Sequence, residues 1–298
     1  MNRRDIVFIT GASSGIGLAL SKLLAKKNKY FLILTARKES MTHLKELFGT
    51  NLYVDLVEVD LRYQTQIESV VRSVLNKYKK IDILINNAAI IYRAFVEHVN
   101  SEEEKRIMQV NYFAPRELIR LFLPGMKEQN KGKIINISSV GGMMAMPTMS
   151  SYNATKFALE GMTESLWYEM KSYNIDITLV QIGFVNSDAF KRVVPTKMSL
   201  SEEKGEYQIF YDSMDLFIKN LMYLSSNNPK RIASKIYRRI ILKQAPLRVN
   251  VTFDAFLFSF FRKIMPRRLY HYILFRLLPH KIKSYYDYLL NFVHNNSD

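Results

Sequence analysis

Short apolar runs rich in β-branched residues alternate with helical patterns along the first 190 residues of the chain. The runs that predict strands cover 6–10, 31–36, 52–60, 81–87, 133–138 and 176–182. The segments in which apolar residues recur at helical spacing are 16–27, 65–79, 102–127 and 152–172. Strands joined by helices predict right-handed crossovers, and nearly continuous apolar strands indicate a sheet covered on both faces. We therefore predict an α/β fold, a doubly wound parallel sheet with a C-terminal helical extension.

The domain organisation rests on one polar break. The sequence SSNN at 225–228 is followed by Pro229 and is the nearest feature to a domain boundary. We predict one domain over 1–228 and a basic extension over 229–298 that packs on the same domain.

The net charge of +16 is concentrated late in the chain. From Lys230 to Lys283 there are fourteen Lys or Arg residues and a single acid, Asp254. This stretch therefore accounts for most of the net charge, and it would suit an anionic partner.

Composition removes several classes of site. The chain has no cysteine, which excludes disulfides and thiolate nucleophiles, and its five histidines show no ligand spacing, so we predict no metal site. No uncharged apolar run approaches the roughly 18 residues of a membrane span, and no apolar targeting region precedes the first strand. We expect a cytoplasmic protein that contacts the inner face of the membrane at most peripherally.

The first predicted strand ends in the glycine-rich sequence TGASSGIG, residues 10–17. Glycines let a backbone turn sharply and approach a pyrophosphate, while the next helix directs its N-terminal N–H groups at that phosphate. This interpretation predicts a Rossmann fold. The residues that would contact the cofactor here are Gly11, Ser13, Ser14, Gly15, Ile16 and Gly17.

The same turn also matches GxSxG, the nucleophile elbow of serine hydrolases. A hydrolase needs an acid and then a histidine later in the chain, and His271, His280 and His294 are available. The elbow is the weaker interpretation, because a turn after the first strand leaves no earlier strand–helix loop to supply a second oxyanion donor.

Three motifs together resemble the short-chain dehydrogenase/reductase family: TGxxxGxG at 10–17, NNA at 86–88 and YxxxK at 152–156. The resemblance covers roughly residues 5 to 190. It implies that Asp60 and Leu61 bind the adenine end of a dinucleotide. It also implies that Asn87, Ala88 and Ala89 border the adenosine ribose, although the family usually has glycine in place of Ala89. Helix-mediated homo-oligomers are a further implication.

Tyr152 and Lys156 are the predicted acid–base pair, because i and i+4 lie on one face of a helix. A nearby ammonium favours the phenolate and should lower the pKa of the tyrosine. The resemblance implies that Ser139 orients the substrate carbonyl, with Ser138 pointing away, and that Asn111 supports a proton relay to the lysine. The implied reaction is hydride transfer between nicotinamide and a carbonyl or alcohol carbon, with Tyr152 as general acid/base and Lys156 also holding the nicotinamide ribose.

The nicotinamide end of the site is predicted from IGFVNS, residues 182–187, which resembles the PGxxxT of the family. Ile182 replaces the proline, and the implied cofactor contacts are Gly183, Val185 and Ser187. Cofactor preference is predicted from LTARKE, where no carboxylate follows the second strand to accept from a ribose 2′-hydroxyl. Arg37 and Lys38 could hold a 2′-phosphate there, so we predict NADP(H) over NAD(H).

The substrate is predicted only as a class. The resemblance implies a lid within 188–228, and the methionines at 143, 144, 146 and 149 border the expected cleft. Methionine suits an adaptable apolar pocket, although ordinary packing would use it equally. We expect a small hydrophobic carbonyl or alcohol, of lipid origin.

The tail sequence FDAFLFSFFRKIMPRR, residues 253–268, carries an apolar stripe at helical spacing followed by clustered cations. Two interpretations stand equal: a helix packed on this domain or a second subunit, and an interfacial helix on an anionic membrane, extending over 253–283. Nucleic-acid binding is the weakest interpretation of the tail, because phosphate binding does not need so many phenylalanines. The non-enzymatic alternative is a catalytically idle Rossmann protein that docks membranes or nucleic acid through this tail.

Overall fold

The computed structural model describes residues 4–185, 206–225, 227–241 and 244–279. Its strands are β1 (Asp5–Ile9), β2 (Tyr30–Ala36), β3 (Val54–Glu58), β4 (Ile83–Asn86), β5 (Gly132–Ile137), β6 (Ile175–Gln181) and β7 (Arg248–Asn250). Within these residues they form one sheet in the order β3-β2-β1-β4-β5-β6-β7, with every neighbouring pair parallel. The α/β doubly wound fold is therefore confirmed, and the six predicted strands lie within two residues of their expected ends.

The described helices connect and cover this sheet. They are α1 (Gly15–Ala25), α2 (Met41–Phe48), α3 (Gln64–Tyr78), α4 (Ser101–Met108), α5 (Ala114–Glu128), α6 (Ser150–Glu169), α7 (Glu206–Leu224), α8 (Pro229–Ile236), α9 (Phe253–Ile264) and α10 (Arg267–Leu277). Among the described residues, no helix combines the length and the apolar character needed to cross a bilayer.

The hydrophobic core forms two layers because β1 is apolar on both of its faces. Val7 and Ile9 join the cluster that packs against α1, α2 and α8. Ile6 and Phe8, at the alternate positions, join the cluster that packs against α3, α5 and the C-terminal part of α6. Strands buried on both faces need no polar alternation, which explains the nearly continuous apolar runs in the sequence.

The helix predicted over 102–127 is divided by a π-helical turn, Gln109–Phe113. The N–H of Ala114 donates to the carbonyl of Gln109, five residues earlier. Pro115 follows in the first turn of α5 and has no N–H with which to continue the α-helical ladder. The wider turn contains Asn111, and such turns often occur at functional sites.

The sheet receives its seventh strand from the region predicted to be the C-terminal extension. β7 pairs in parallel with Leu179–Gln181 of β6, and α8 packs against α1. The predicted boundary at residues 228 and 229 thus falls directly before α8, and the chain beyond it completes the sheet before α9 and α10 begin.

Candidate functional site

A cavity of about 540 Å³ lies at the carboxyl ends of the parallel strands. Its walls include the residues that follow β1, β2, β4, β5 and β6, among them Gly11, Arg37, Asn87, Ser139 and Gly183. Carboxyl-end crevices of open parallel sheets are where such folds bind ligands. The structure therefore brings together motifs that are up to 170 residues apart in sequence.

Most of the predicted site residues line this cavity. Those at its wall are Gly11, Ser13, Ser14, Gly15, Ile16, Arg37, Asp60, Leu61, Asn87, Ala88, Ala89, Ser139, Tyr152, Lys156, Gly183 and Val185. Gly17, Lys38 and Asn111 are not part of the wall. Ser187 and the first part of the predicted lid, residues 188–205, lie outside the described residues, as does Ser226.

The glycine-rich turn has a conformation that side chains would block. Gly11 and Gly15 have φ angles of +64° and +55°, in the left-handed region that favours glycine. A Cβ at Gly17 would lie 2.3 Å from the carbonyl oxygen of Gly11 and 2.5 Å from Nδ2 of Asn87. A Cβ at Gly15, in contrast, would meet no atom within 4 Å, because this residue faces the open cavity.

Asn87 ties the NNA segment to the glycine turn. Its Nδ2 donates to the carbonyls of Thr10 and Gly11, at 3.0 and 3.2 Å. The hydroxyl of Thr10 accepts from the backbone N–H groups of Asn87 and Ala88, both at 3.0 Å. These bonds hold two backbone segments and the N-terminus of α1 around one side of the cavity. A shaped backbone cradle at the positive end of a helix fits the pyrophosphate of a dinucleotide.

The part of the cavity wall that follows β2 and β3 is rich in cations. Arg37 and Arg62 both contribute to its wall, whereas Lys38 begins a short 3₁₀ turn in which Ser40 faces the cavity instead. Arg62 holds Asp60 through several hydrogen bonds. Burial alone would raise the pKa of Asp60, but those bonds outweigh it and keep the pKa below its ordinary value. Arg62 and Ser40 were missed because no motif includes them.

Tyr152 and Lys156 lie on one face of α6, and both line the cavity. Lys156 is 3% exposed, and its Nζ donates to the carbonyl of Ile137 at 2.9 Å. Nζ also lies 5.9 Å from the centroid of the Tyr152 ring. Burial lowers the pKa of Lys156 to about 8, although the nearby Glu160 opposes this. The ammonium can therefore exchange its proton close to neutral pH.

Burial also raises the pKa of the Tyr152 phenol, and a hydrogen bond with Ser139 only partly opposes the rise. We expected Lys156 to lower the pKa of Tyr152, but the structure gives a raised pKa, because desolvation of the phenolate dominates. Ser139 also accepts from the N–H of Gly141 at 3.1 Å. The neighbouring Ser138 points away and donates to Glu160 at 2.9 Å.

Asn111 braces the backbone next to the site. Its Oδ1 accepts from the N–H of Ile90, and its Nδ2 donates to the carbonyl of the same residue, both at 2.9 Å. Nδ2 also donates to the hydroxyl of Thr155, which precedes Lys156. The direct contacts of Asn111 therefore position the backbone at Ile90, and Ile90 and the next residue, Ile91, line the cavity.

A buried carboxylate below the lysine was missed by the sequence interpretation. Glu160 accepts from Nε2 of Gln181 at 2.9 and 3.0 Å, and Nε of Arg248 lies 3.6 Å away. Burial raises its pKa against these partners. A helical signal was present, since Tyr152, Lys156 and Glu160 follow at i, i+4 and i+8 on one face. Its partners Gln181 and Arg248 come from β6 and β7, and no local pattern connects them.

One part of the cavity wall is apolar. That part consists of Met146 and Met149 from the segment before α6, Ile218 and Met222 from α7, and Phe184. Helix α7 is held in place by Arg93, a buried side chain whose Nη1 donates to Asp215 at 2.9 Å. The arrangement places Tyr152 and Lys156 in the same cavity as a group of apolar side chains.

Comparison with known proteins gives consistent matches. A family model for short chain dehydrogenases matches residues 5–198. The 3-ketodihydrosphingosine reductase of Bacteroides thetaiotaomicron is 30% identical over 252 residues, covering 83% of this chain and 87% of the relative.

Two solved structures share the fold. A short-chain oxidoreductase of metagenomic origin in complex with NADP is 29% identical with a TM-score of 0.56, over 61% of this chain and 83% of that one. A short-chain dehydrogenase/reductase from Burkholderia phymatum in complex with NAD has a TM-score of 0.73 at 22% identity, over 86% and 91%.

Proposed function

Because the chain belongs to the short-chain dehydrogenase family, we propose that it is an NADP(H)-dependent oxidoreductase for a hydrophobic carbonyl or alcohol of lipid origin. The observation that carries this proposal is the position of Ser139, Tyr152 and Lys156 in one cavity whose wall is partly apolar. The glycine cradle fits a dinucleotide, and Arg37 and Arg62 in the cavity wall supply cations for a 2′-phosphate. Glu39, whose carboxylate lies 3.9 Å from Arg37, is not part of that wall.

The chemistry of the chain itself is proton transfer and orientation. A bound nicotinamide cofactor supplies or accepts the hydride. In the reductive direction the Tyr152 hydroxyl donates a proton to the substrate oxygen as the carbonyl carbon gains the hydride, giving an alcohol. The Ser139 hydroxyl, which already accepts from Gly141, donates to the same oxygen and holds it against Tyr152. Lys156 favours the resulting phenolate through its charge and passes a proton back as its own pKa permits.

The lipid origin of the substrate has two supports. Part of the cavity wall is formed by methionine and aliphatic side chains, which adapt to flexible apolar chains. The Bacteroides relative is named for the reduction of 3-ketodihydrosphingosine. We propose that the reductive direction and a long-chain ketone or aldehyde apply to this protein as well.

Turnover should rise with the length of the apolar chain on the carbonyl. The test is NADPH oxidation by the purified chain against aldehydes and ketones of increasing length. We expect kcat/KM to climb by up to about tenfold for each pair of added methylenes that the apolar part of the cavity buries. Activity confined to short, polar carbonyls would contradict the lipid assignment while leaving the oxidoreductase assignment intact.

Cofactor preference should depend on Arg37. Replacing it by Asp removes a charge-assisted bond to a 2′-phosphate and introduces repulsion, so the ratio of kcat/KM for NADPH over NADH should fall about 10–100-fold. Lys38→Ala is the matched control, because Lys38 is adjacent but not part of the cavity wall. An unchanged ratio in Arg37→Asp, or an equal effect of Lys38→Ala, would mean that Arg37 does not read the phosphate.

We also propose self-association, as the family resemblance implies. The supporting observation is that helix α6 leaves aromatic side chains at the surface, Phe157 at 40% and Tyr168 at 61% exposed.

A further inference from the structure

The last two described helices, α9 and α10, turn their apolar side chains outward. The stripe predicted at helical spacing along α9 is its exposed face: Phe253 is 73% exposed, Phe256 52% and Phe260 46%. Leu257, Phe261 and Ile264 extend the same stripe. The opposite face of α9 carries the buried Ala255 and the partly buried Phe258, which contacts the protein. The stripe is therefore exposed in the single chain, and α9 contacts its own domain through the other face.

The exposed area is large for a single protein surface. An aromatic side chain presents roughly 150–250 Å² when fully exposed, so the half-exposed stripe of α9 amounts to on the order of 500 Å². Leu269, Tyr272, Ile273 and Leu277 add exposed apolar area along α10. Isolated exposed side chains need no explanation, but contiguous patches of this size mark interaction sites.

The charges around this surface have one sign. The exposed cations on α9, α10 and the turn between them are Arg262, Lys263, Arg267, Arg268 and Arg276. From residue 255 to 279 the sequence contains no acid, and no ion pair joins these five side chains to an acid within the described ranges. Unneutralised cations beside aromatic side chains are the composition that binds anionic lipid at a bilayer interface.

The start of α9 is fixed to the cavity wall. Oγ1 of Thr252 accepts from the N–H of Gly183 at 2.8 Å, and Oδ2 of Asp254 accepts from the N–H of Phe184 at 2.6 Å. A Cβ at Gly183 would lie 2.0 Å from Asp254, so the contact requires glycine. The one acid of this basic region is thus turned inward, where it connects α9 to the loop after β6.

The inner faces of both helices share a hydrophobic cluster with the substrate side of the cavity. Phe258 of α9 and Leu274 of α10 pack against the cluster that contains Tyr152, Met149 and Ile218. The helices that carry the exposed stripe and the apolar part of the cavity wall therefore belong to one structural unit.

We propose that α9 and α10 form a membrane foot, a surface that lies in the interface of an anionic bilayer. The foot consists of the α9 stripe, the exposed apolar residues of α10 and the five cations. The inference that this surface binds a membrane depends only on the surface itself. The role of that binding depends on the proposed function, since it would bring the cavity beside a reservoir of lipid-derived carbonyls.

The test is co-sedimentation of the full chain with phosphatidylcholine vesicles, with and without phosphatidylserine, in the absence of cofactor and substrate. We expect binding that depends on phosphatidylserine and weakens with salt. The triple variant Phe253→Ser, Phe256→Ser, Phe260→Ser and the triple variant Lys263→Gln, Arg267→Gln, Arg268→Gln should each lower the vesicle partition coefficient about 100-fold. These side chains are exposed, so the fold should tolerate both sets of substitutions.

Matched controls are Leu52→Ser, an 86% exposed apolar residue elsewhere, and the pair Lys45→Gln, Arg72→Gln, exposed cations on α2 and α3. Both should bind vesicles as the wild type does. Failure of the wild type to bind anionic vesicles, or unchanged binding by both foot variants, would overturn the proposal. So would a phenylalanine variant that changes only the oligomeric state in sedimentation, because the stripe would then contact a second copy.

A kinetic measurement separates this proposal from the proposed function. The phenylalanine variant should keep its kcat/KM for a water-soluble carbonyl, since none of the three residues lines the cavity, and should lose turnover only of a substrate embedded in vesicles. Vesicle binding without any turnover would support the foot and contradict the enzymatic assignment. Turnover without vesicle binding would support the enzymatic assignment and contradict the membrane foot.

Discussion

Replacing Tyr152 by Phe is expected to reduce kcat by about 10²–10⁴, the range in which a single general acid contributes. In the proposed mechanism the phenol protonates the substrate oxygen, and Phe keeps the ring and its packing while removing the proton. Because burial raises the pKa of Tyr152, the hydroxyl is protonated at neutral pH and ready for the reductive direction. The measurement is NADPH oxidation under saturating carbonyl, with cofactor affinity determined separately by fluorescence titration.

The matched control is Tyr168→Phe, on the same helix but 61% exposed at the surface. It should retain the wild-type rate. If Tyr152→Phe keeps NADPH binding and loses turnover, the chain is an enzyme with the assigned acid. A wild type that binds NADPH without oxidising it against any carbonyl would favour the catalytically idle alternative instead.

Gly17→Ala is expected to lower the free energy of unfolding by about 1–3 kcal/mol and cofactor affinity about tenfold or more. The added Cβ would meet the backbone oxygen of Gly11 at 2.3 Å. Backbone cannot rotate away as a side chain tip can, so the turn must open. Opening it displaces Asn87, whose Nδ2 lies 2.5 Å from the same position, and with it the bonds that join the two loops.

Gly161→Ala provides the control, since Gly161 is also helical, is exposed and has no atom within 4 Å of an added Cβ. Alanine is the better helix former, so this variant should gain up to about 1 kcal/mol. Chemical denaturation and NADPH titration of both variants decide the matter. Equal stability of the two alanine variants would mean that the glycine turn is not under the steric constraint seen at Gly17.

The buried carboxylate Glu160 influences the site, although it belongs to none of the sequence motifs. Its partners Ser138, Gln181 and Arg248 join β5, β6 and β7 directly below Lys156. Its field acts to raise the pKa of Lys156, and burial acts more strongly to lower it. The pKa of Lys156 is therefore about 8, in a range useful for proton exchange, because burial outweighs the opposing field of Glu160.

The sequence by itself determined the sheet, the cofactor turn and the Tyr152–Lys156 pair. Each of these depends on residues that are close in the chain: apolar runs, glycine spacing, and side chains at i and i+4. Local physical chemistry decides such features, so a single sequence predicts them well. The family resemblance added Ser139, which the structure places beside Tyr152.

Other features required the tertiary structure. β7 has only three residues, too few for a periodic pattern, and forms because β6 leaves an open edge beside it. The π-helical turn at Asn111 exists where Ile90 and Thr155 bind its amide. The sequence showed that α9 is amphipathic, but an amphipathic pattern does not state which face meets the protein. Only the packing of Ala255 and Phe258 decided that, since contacts between distant segments determine what is buried.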